Sequence, residues 1–270
     1  MNTAAPLTVA ISPCPNDTFI FGAWVLGLVP GPEPNARFFW ADVQELNIAA
    51  SQGRYDVVKM SAAAALNLED TYEILPCGGA FGSGVGPKLA VRPDSPERLL
   101  TVAVPGLDTT AYAVLRCALG HGFAPLPMPF DRVAQAVQSG QADAGLLIHE
   151  TALVPQRYGL TVRLDLGAWW AEHCAGAPLP LGVIAMRRTL PDALRQKVCD
   201  TIRSSLTQAR DQRASVWPLI CALAQELDNA TLEAHIAAYV DALSMDMGQT
   251  GQTALSALRT MVRAQSPGCR

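Results

Sequence analysis

The segment Ser12-Pro13-Cys14-Pro15-Asn16-Asp17-Thr18-Phe19 constrains the fold more than any other part of the chain. It follows the apolar run Leu7 to Ile11 and leads into the amphipathic run Ile20 to Leu28. The two prolines fix their own φ and hold their neighbours in extended geometry. The pattern therefore predicts a strand, a stiff turn and a helix that begins no earlier than Asn16 or Asp17, both of which are good N-caps.

A helix that starts directly after a strand favours a particular kind of ligand. In open α/β sheets ligands bind at the carboxyl ends of the strands, and the amides and dipole of a helix N-terminus attract anions. We therefore expect a small anionic substrate, with Ser12 and Asn16 among the residues that contact it. Cys14 lies in the same turn without a nearby base in the sequence, so we interpret it as a small turn residue and not as a nucleophile.

Composition excludes several classes of protein. The chain has 270 residues, half of them hydrophobic, which is enough for one large domain or two smaller ones. A net charge of -4 with scattered basic residues argues against nucleic acid as a partner.

Seven cysteines without a C-x-x-C pair favour reduced thiols over a disulfide framework or a zinc site. Met1 to Pro6 does not resemble a signal peptide, and the apolar run Phe19 to Val29 is too short to span a bilayer, so we expect a soluble, cytoplasmic protein with no membrane partner.

Lys59 and Ser61 come at the end of the third predicted strand, Tyr55 to Met60, which follows the short second strand Arg37 to Trp40 and a helix capped by Asp42. The next helix is predicted over Ala62 to Leu68. An isolated lysine is usually a solvated surface charge. Beside a serine at a helix start, however, Lys59 could provide a second contact to an anion or a hydroxyl group of the substrate.

The segment from Gly78 to Pro87 contains five glycines and precedes the strand Lys88 to Val91. It lacks the G-K-[ST] ending and the following helix of a phosphate loop. We interpret it as a place where backbone approaches a ligand closely or where two lobes move.

The strand Thr101 to Val104, a proline turn and the helix Ala111 to Leu119 repeat the arrangement at the start of the chain. Two such helix starts facing one another across a cleft would suit a substrate with a carboxylate at one end and polar groups at the other. We expect the carboxylate at Thr109 and Thr110, and plain N-capping is the alternative for these residues.

His149 follows the apolar strand Ala144 to Ile148, and of the four histidines it alone is placed where parallel sheets carry their chemistry. The other three are predicted just past a helix end (His121), in a polar loop (His173) and in an exposed helix (His235). We predict that His149 is a general base. Glu150 is the alternative, but consecutive strand residues point to opposite faces.

The rest of the pattern indicates an α/β fold of two lobes. A strand over Leu126 to Pro129 and a helix from Asp131 to Ser139 come before His149, and strands over Leu160 to Leu164 and Leu181 to Met186 follow it. Four helices are predicted over 193–213, 215–227, 230–243 and 249–264, and we expect them to pack on the first lobe. The predicted larger lobe comprises 1–92 and 188–270, and the smaller, inserted lobe comprises 93–187.

Several of these segments together resemble a known family, the 1,4-dihydroxy-6-naphthoate synthases of the futalosine route to menaquinone. Those that carry the resemblance are the opening segment Ser12 to Phe19, Lys59-Met60-Ser61, Gly84-Val85-Gly86-Pro87, Thr109-Thr110-Ala111, Met128-Pro129-Phe130-Asp131-Arg132, Gly145 to Glu150, Leu179-Pro180-Leu181-Gly182 and Tyr239 to Gly248. Their order and spacing cover nearly the whole chain. The sequence departs from the family at Ala62 to Ala65, where bulkier residues are common, and at Lys88, where an apolar residue is usual.

The resemblance implies a fold, a reaction and a set of site residues. The fold is that of type II periplasmic binding proteins, with two mixed sheets and a double-crossover hinge. The reaction converts cyclic dehypoxanthine futalosine to 1,4-dihydroxy-6-naphthoate by a base-initiated, retro-aldol-type carbon–carbon cleavage, for which no metal or cofactor is expected. His149 corresponds to the family's general base, and Lys59, Ser61, Thr109 and Thr110 correspond to its substrate contacts. The alternatives are chorismate dehydratase of the same pathway and a non-catalytic protein that binds a small acid.

Overall fold

The computed structural model describes residues 5–32, 36–224 and 228–264. The chain forms two compact units: the first comprises Met1–Ala80 and Gly182–Gly248, and the second comprises Phe81–Leu181 and Gln249–Arg270. The lobe boundaries expected from the sequence stay a prediction. No helix in the described ranges combines the length and the apolar character needed to cross a membrane.

Strands and helices alternate along most of the chain. In chain order the elements are β1 (Thr8–Ile11), α1 (Pro15–Val25), β2 (Arg37–Trp40), α2 (Val43–Ser51), β3 (Val57–Ser61), α3 (Ala62–Asn67), β4 (Tyr72–Ile74), β5 (Ala80–Gly82), β6 (Lys88–Val91), β7 (Thr101–Val104), α4 (Thr110–Leu119), β8 (Ala124–Pro127), α5 (Phe130–Gln138), β9 (Ala144–Leu147), α6 (His149–Leu153), a 3-10 turn (Pro155–Tyr158), β10 (Thr161–Asp165), α7 (Leu166–His173), β11 (Leu179–Arg187), α8 (Asp192–Asp211), α9 (Arg213–Leu223), α10 (Asn229–Tyr239), α11 (Ala242–Met245) and α12 (Gly248–Arg263).

Both sheets are mixed, and the predicted α/β class is confirmed. One sheet has the order β2-β1-β3-β11-β4, with β5 also paired to β11. In it β1 runs parallel to β2 and β3, whereas β11 runs antiparallel to β3 and β4. The other sheet has the order β10-β6-β9-β7-β8, and its parallel strands are β9, β7 and β8.

Helix α1 begins one residue earlier than expected. The predicted start at Asn16 or Asp17 is wrong, because Pro15 is the first helical residue and Cys14 is the N-cap, without a side-chain cap bond. Proline is well suited to this position, since its fixed φ is already helical and its missing N–H would have no partner there. Asn16 and Asp17 therefore lie inside the first turn, and their side chains are available for other contacts.

A similar difference occurs at α5, which begins at Phe130 after the N-cap residue Pro129. Asp131 was expected to cap this helix, but it lies in the first turn, where its charge still suits the helix dipole.

The end of the helix predicted over 215–227 lies outside the described residues. The last helix, α12, was expected on the first lobe and groups with the second unit.

The core of the first unit surrounds α1. Every residue from Pro15 to Trp24 is buried, and the helix packs against α8, α9 and α10. A helix that is covered on all sides has no solvent face for its polar residues. Asn16, Asp17 and Thr18 are therefore buried as well, and buried polar groups require hydrogen-bond partners.

In the second unit, α5 packs closely on β9, the strand that leads to His149. A side chain at Gly145 would place its Cβ 2.6 Å from Val137 Cγ2 and 2.8 Å from Val133 Cγ1. The absence of a side chain at this strand position thus permits the close approach of the helix.

Asp143 links two strands of the second sheet at their amino ends. Its Oδ2 accepts hydrogen bonds from the backbone N–H groups of Thr101, at 2.9 Å, and Leu100, at 2.8 Å. These two donors lower the pKa of the Asp143 carboxyl below its usual value. A lowered folded-state pKa stabilises the protein above the unfolded-state value and loses this contribution as the pH falls through the folded-state value.

We predict that Asp143→Asn lowers the free energy of unfolding by about 1 kcal/mol at pH 7, because the charged acceptor is lost. The difference from the wild type should shrink below about pH 4, where the wild-type carboxyl itself becomes protonated. Urea unfolding at several pH values measures this. The control is Asp94→Asn, since the Asp94 side chain is exposed and its ion pair with Arg92 lies at the surface. An Asp143→Asn variant as stable as the control at pH 7 would contradict the assignment.

Candidate functional site

A buried ion pair organises the polar residues of the first unit. Lys59 Nζ on β3 lies 2.5 Å from Asp17 Oδ1 on the first turn of α1, and both side chains are almost wholly shielded from solvent. Asn16 Nδ2 also donates to Asp17 Oδ1, at 2.8 Å, and Ser12 Oγ donates to Asp17 Oδ2, at 2.6 Å. The carboxylate is thus held by three side chains, one of which carries the opposite charge.

This arrangement shows that Lys59 is not a solvated surface lysine. The strand β11 runs beside β3, and Gly182 on β11 is paired with Ser61. A Cβ at Gly182 would lie 2.6 Å from Lys59 Cε, so the glycine leaves the space that the lysine side chain crosses. Asp17 neutralises the charge of Lys59, so the lysine carries no uncompensated positive charge.

Ser61, at the end of β3, is held by Asn47 of α2. The amide Nδ2 of Asn47 donates to Ser61 Oγ at 3.0 Å, and its Oδ1 accepts from the backbone N–H of Ser61 at 2.8 Å. Sequence reasoning missed Asn47. The available signal was a polar residue on the apolar side of a helix, next to Leu46 and one turn before Ala50.

His235 belongs to the same network, although the sequence pattern placed it in an exposed helix. That prediction is wrong: the side chain is buried, and His235 Nε2 lies 2.9 Å from Asn16 Oδ1. Its ring meets the ring of Tyr239 edge-on, with centroids 4.9 Å apart. The residues of α10 that are buried recur at helical spacing, namely Thr231, Leu232, His235, Ile236 and Tyr239, and this stripe was the overlooked signal.

In the second unit the two threonine hydroxyl groups at the start of α4 form hydrogen bonds with the protein backbone. Thr109 is the N-cap: its Oγ1 accepts from Tyr112 N at 3.2 Å and donates to Gly106 O at 2.9 Å. Thr110 Oγ1 donates to Leu181 O at 2.9 Å. A carboxylate at this helix start would therefore bind to backbone N–H groups more than to the two hydroxyls.

His149 lies just beyond the carboxyl end of β9, as the sequence predicts, but it is not part of the strand. It is the first residue of α6, and its φ of 54° is in the left-handed region, which is uncommon for a residue with a side chain. The imidazole is half-buried and meets the ring of Phe130 edge-on, with centroids 4.8 Å apart.

Glu150 follows as a buried residue of the same helix. The expectation that strand alternation separates His149 from Glu150 is wrong, because both residues belong to a helix. Cys14, in contrast, fits its interpretation as a turn residue, since it is the N-cap of α1 and is buried. None of the six cysteines in the described ranges forms a disulfide.

We predict that Lys59→Met destabilises the protein by about 3–5 kcal/mol, because it leaves the Asp17 carboxylate buried without its counter-charge. The double variant Lys59→Met with Asp17→Asn should recover much of this loss, since no uncompensated charge remains. Urea unfolding of the two single variants and the double variant measures the coupling between the residues.

Lys88→Met is the matched control for this prediction. Lys88 is also a strand lysine, but its pair with Asp165, at 3.5 Å, is partly exposed, so its loss should cost at most about 1 kcal/mol. If the Lys59 and Lys88 variants were equally stable, the ion pair would not have the structural role given to it here.

Comparison with known proteins identifies the family. Residues 7–264 match the family described as menaquinone biosynthesis. A 1,4-dihydroxy-6-naphthoate synthase of Thermus thermophilus is 42% identical over 253 residues, covering 93% of this chain and 92% of the relative. The enzyme of the same name from Streptomyces coelicolor is 39% identical over 269 residues, covering 97% and 95%.

Solved structures show which fold the chain shares. A crystal structure of a protein from Archaeoglobus fulgidus superposes with a TM-score of 0.91 at 33% identity, covering 96% of this chain and 97% of the other. A Candida albicans protein described as having the generic periplasmic binding protein fold superposes with a TM-score of 0.72 at 12% identity, covering 97% and 91%. This second likeness concerns the fold alone and confirms the expected architecture. The chain belongs to the menaquinone biosynthesis family, together with relatives named as 1,4-dihydroxy-6-naphthoate synthases.

Proposed function

We propose that this chain is a cytoplasmic carbon–carbon lyase that converts cyclic dehypoxanthine futalosine to 1,4-dihydroxy-6-naphthoate. The observation that carries the proposal is a half-buried imidazole, that of His149, directly after the carboxyl end of a parallel strand in a chain whose relatives bear the name of this synthase. Those names also support an enzyme role in menaquinone biosynthesis.

The proposed chemistry needs one base. His149 takes a proton from a hydroxyl or carbon of the sugar-derived part of the substrate. The electron pair that this releases drives a retro-aldol-type cleavage of carbon–carbon bonds, and a three-carbon fragment leaves. Formation of the aromatic ring supplies the driving force. Imidazole suits this task because it exchanges protons near neutral pH.

The contacts in the first unit favour neutral polar groups of the substrate. Asp17 already balances the charge of Lys59, so we assign Lys59, Ser61, Ser12 and Asn16 to hydroxyl or carbonyl oxygens. The substrate carboxylate is assigned to the start of α4, at Thr109 and Thr110, where a helix N-terminus favours an anion.

The proposal is tested by incubating the purified protein with cyclic dehypoxanthine futalosine and, in parallel, with chorismate. We expect the absorbance of the naphthoate to appear with the first compound and no dehydration of the second. Consumption of chorismate would identify the alternative enzyme of the pathway. Tight binding of the first compound without any product would favour a non-catalytic binding protein.

We predict that His149→Asn lowers the turnover number by about 10²- to 10⁴-fold while KM changes little, because it removes a general base and keeps a polar side chain of similar size. Steady-state kinetics with the naphthoate chromophore measure this effect. His173→Asn is the control, since His173 is exposed and stacks on Trp169. A normal rate in His149→Asn combined with a large loss in Glu150→Gln would transfer the role of base to Glu150.

We predict that the double variant Thr109→Val with Thr110→Val binds substrate more weakly and also loses about 1 kcal/mol of stability, because loss of the Thr109 cap loosens the helix start whose backbone N–H groups are assigned to the carboxylate. The variant with serine at both positions keeps both hydroxyls and serves as the control. Isothermal titration with the product measures the affinity. Equal affinities in the valine and serine variants would argue against a carboxylate at the start of α4.

A further inference from the structure

The hydrogen bonds around Asn16 determine which way its amide faces. The Asp17 carboxylate is paired with Lys59 and accepts from Ser12, and an ionised carboxylate can only accept hydrogen bonds. Asn16 therefore turns its nitrogen, Nδ2, towards Asp17, at 2.8 Å. Its oxygen, Oδ1, consequently faces the other way, towards α10.

The orientation of this amide in turn determines where His235 carries a proton. His235 Nε2 lies 2.9 Å from Asn16 Oδ1, and an amide oxygen can only accept. Nε2 must therefore be the protonated nitrogen that donates. The ring is buried and packed edge-on against Tyr239, so it is held in this orientation by its surroundings.

We propose that His235 is a positioning residue for the substrate-binding network of the first unit. By donating Nε2–H to Asn16 it fixes the amide, and through Asn16 it fixes the acceptor geometry of Asp17 and the position of Lys59. This inference rests on the proposed function, because it takes Asn16 and Lys59 as substrate contacts. Without His235 the buried Oδ1 loses this donor, and rotation of the amide would remove the donor that Asp17 receives.

A positioning role predicts a particular kinetic effect. The network binds parts of the substrate that do not react, whereas the proposed base is His149. Loss of His235 should therefore weaken substrate and transition state equally, which raises KM and leaves the turnover number unchanged. A purely structural role would instead lower the fraction of folded enzyme, which lowers the apparent turnover number at constant KM.

The first test is the protonation state of His235 in the wild-type protein. Nitrogen-15 NMR that correlates the imidazole nitrogens with the ring protons shows which nitrogen bears hydrogen. We expect a proton on Nε2 of His235. A neutral ring with its proton on Nδ1 and a bare Nε2 would overturn the proposal. Because no substrate is needed, this result is independent of whether the proposed reaction is correct.

The second test compares two variants of His235. We expect His235→Phe, which keeps an aromatic ring against Tyr239 but has no donor, to raise KM about 10-fold with a turnover number within about twofold of the wild type. His235→Gln, whose amide N–H can replace the donor, should have a KM within about threefold of the wild type. A wild-type KM in the Phe variant, or equal KM values in both variants, would overturn the proposal.

Ile236→Ala is the matched control, because Ile236 is the next residue of α10 and packs into the apolar core. We expect it to lower stability at unchanged KM. If His235→Phe does not fold, the NMR result and the KM of His235→Gln decide the matter. If the wild-type protein forms no naphthoate, the proposed function fails, and the NMR measurement still decides the proton position on its own.

Discussion

The arrangement of polar residues in the first unit depends on one buried ion pair, that of the Asp17 carboxylate and the Lys59 ammonium group. Asp17 lies on a helix that is covered on all sides, so its charge requires partners inside the protein. Lys59 on the neighbouring strand supplies the counter-charge, and Ser12 and Asn16 supply two further donors. The opening segment of the chain, which contains three of these four residues, therefore sets both the start of α1 and the positions of its polar groups.

Neighbouring elements accommodate this pair. Gly182 on β11 leaves room for the lysine stem, α10 brings a histidine to Asn16, and α2 brings Asn47 to Ser61. In the second unit the polar residues are arranged differently, since the hydroxyls of Thr109 and Thr110 serve the backbone. His149 there adopts a left-handed backbone conformation, a kind of strain that proteins tend to retain where it has a use.

Local patterns predicted much of the architecture. The strands β2, β6 and β7 have the expected bounds, and prolines mark one end of two of them, since Pro87 precedes β6 and Pro105 follows β7. Strand β4 was not predicted, because a run of three residues is too short to show an alternating pattern. Strand β5 was not predicted either, because it lies within the glycine-rich segment, which was interpreted as a place of close backbone approach or of lobe movement. The fold class and the family followed from motifs spread along the chain, and the comparisons confirmed both.

The candidate site was predicted less completely than the fold. Lys59, Ser12 and Asn16 were singled out and lie around Asp17, but Asp17 itself was missed as their common partner, as was Asn47, which holds Ser61. Asp17 was interpreted as a cap and His235 as a surface residue. The correct assignment of both residues depends on which helices cover α1, and the sequence does not show this packing. Tertiary packing of this kind leaves only a weak trace in the sequence, here a buried stripe on α10.

The central claim is that the polar network of the first unit binds substrate and is not merely part of the core. The most direct measurement is an NMR titration of the wild-type protein with 1,4-dihydroxy-6-naphthoate, observing side-chain amide resonances. The account predicts saturable shifts for Asn16 and Asn47, with no shift for the exposed amide of Gln196, which bonds to Asp200. Saturation of the protein with the naphthoate while the amides of Asn16 and Asn47 stay unchanged would contradict it.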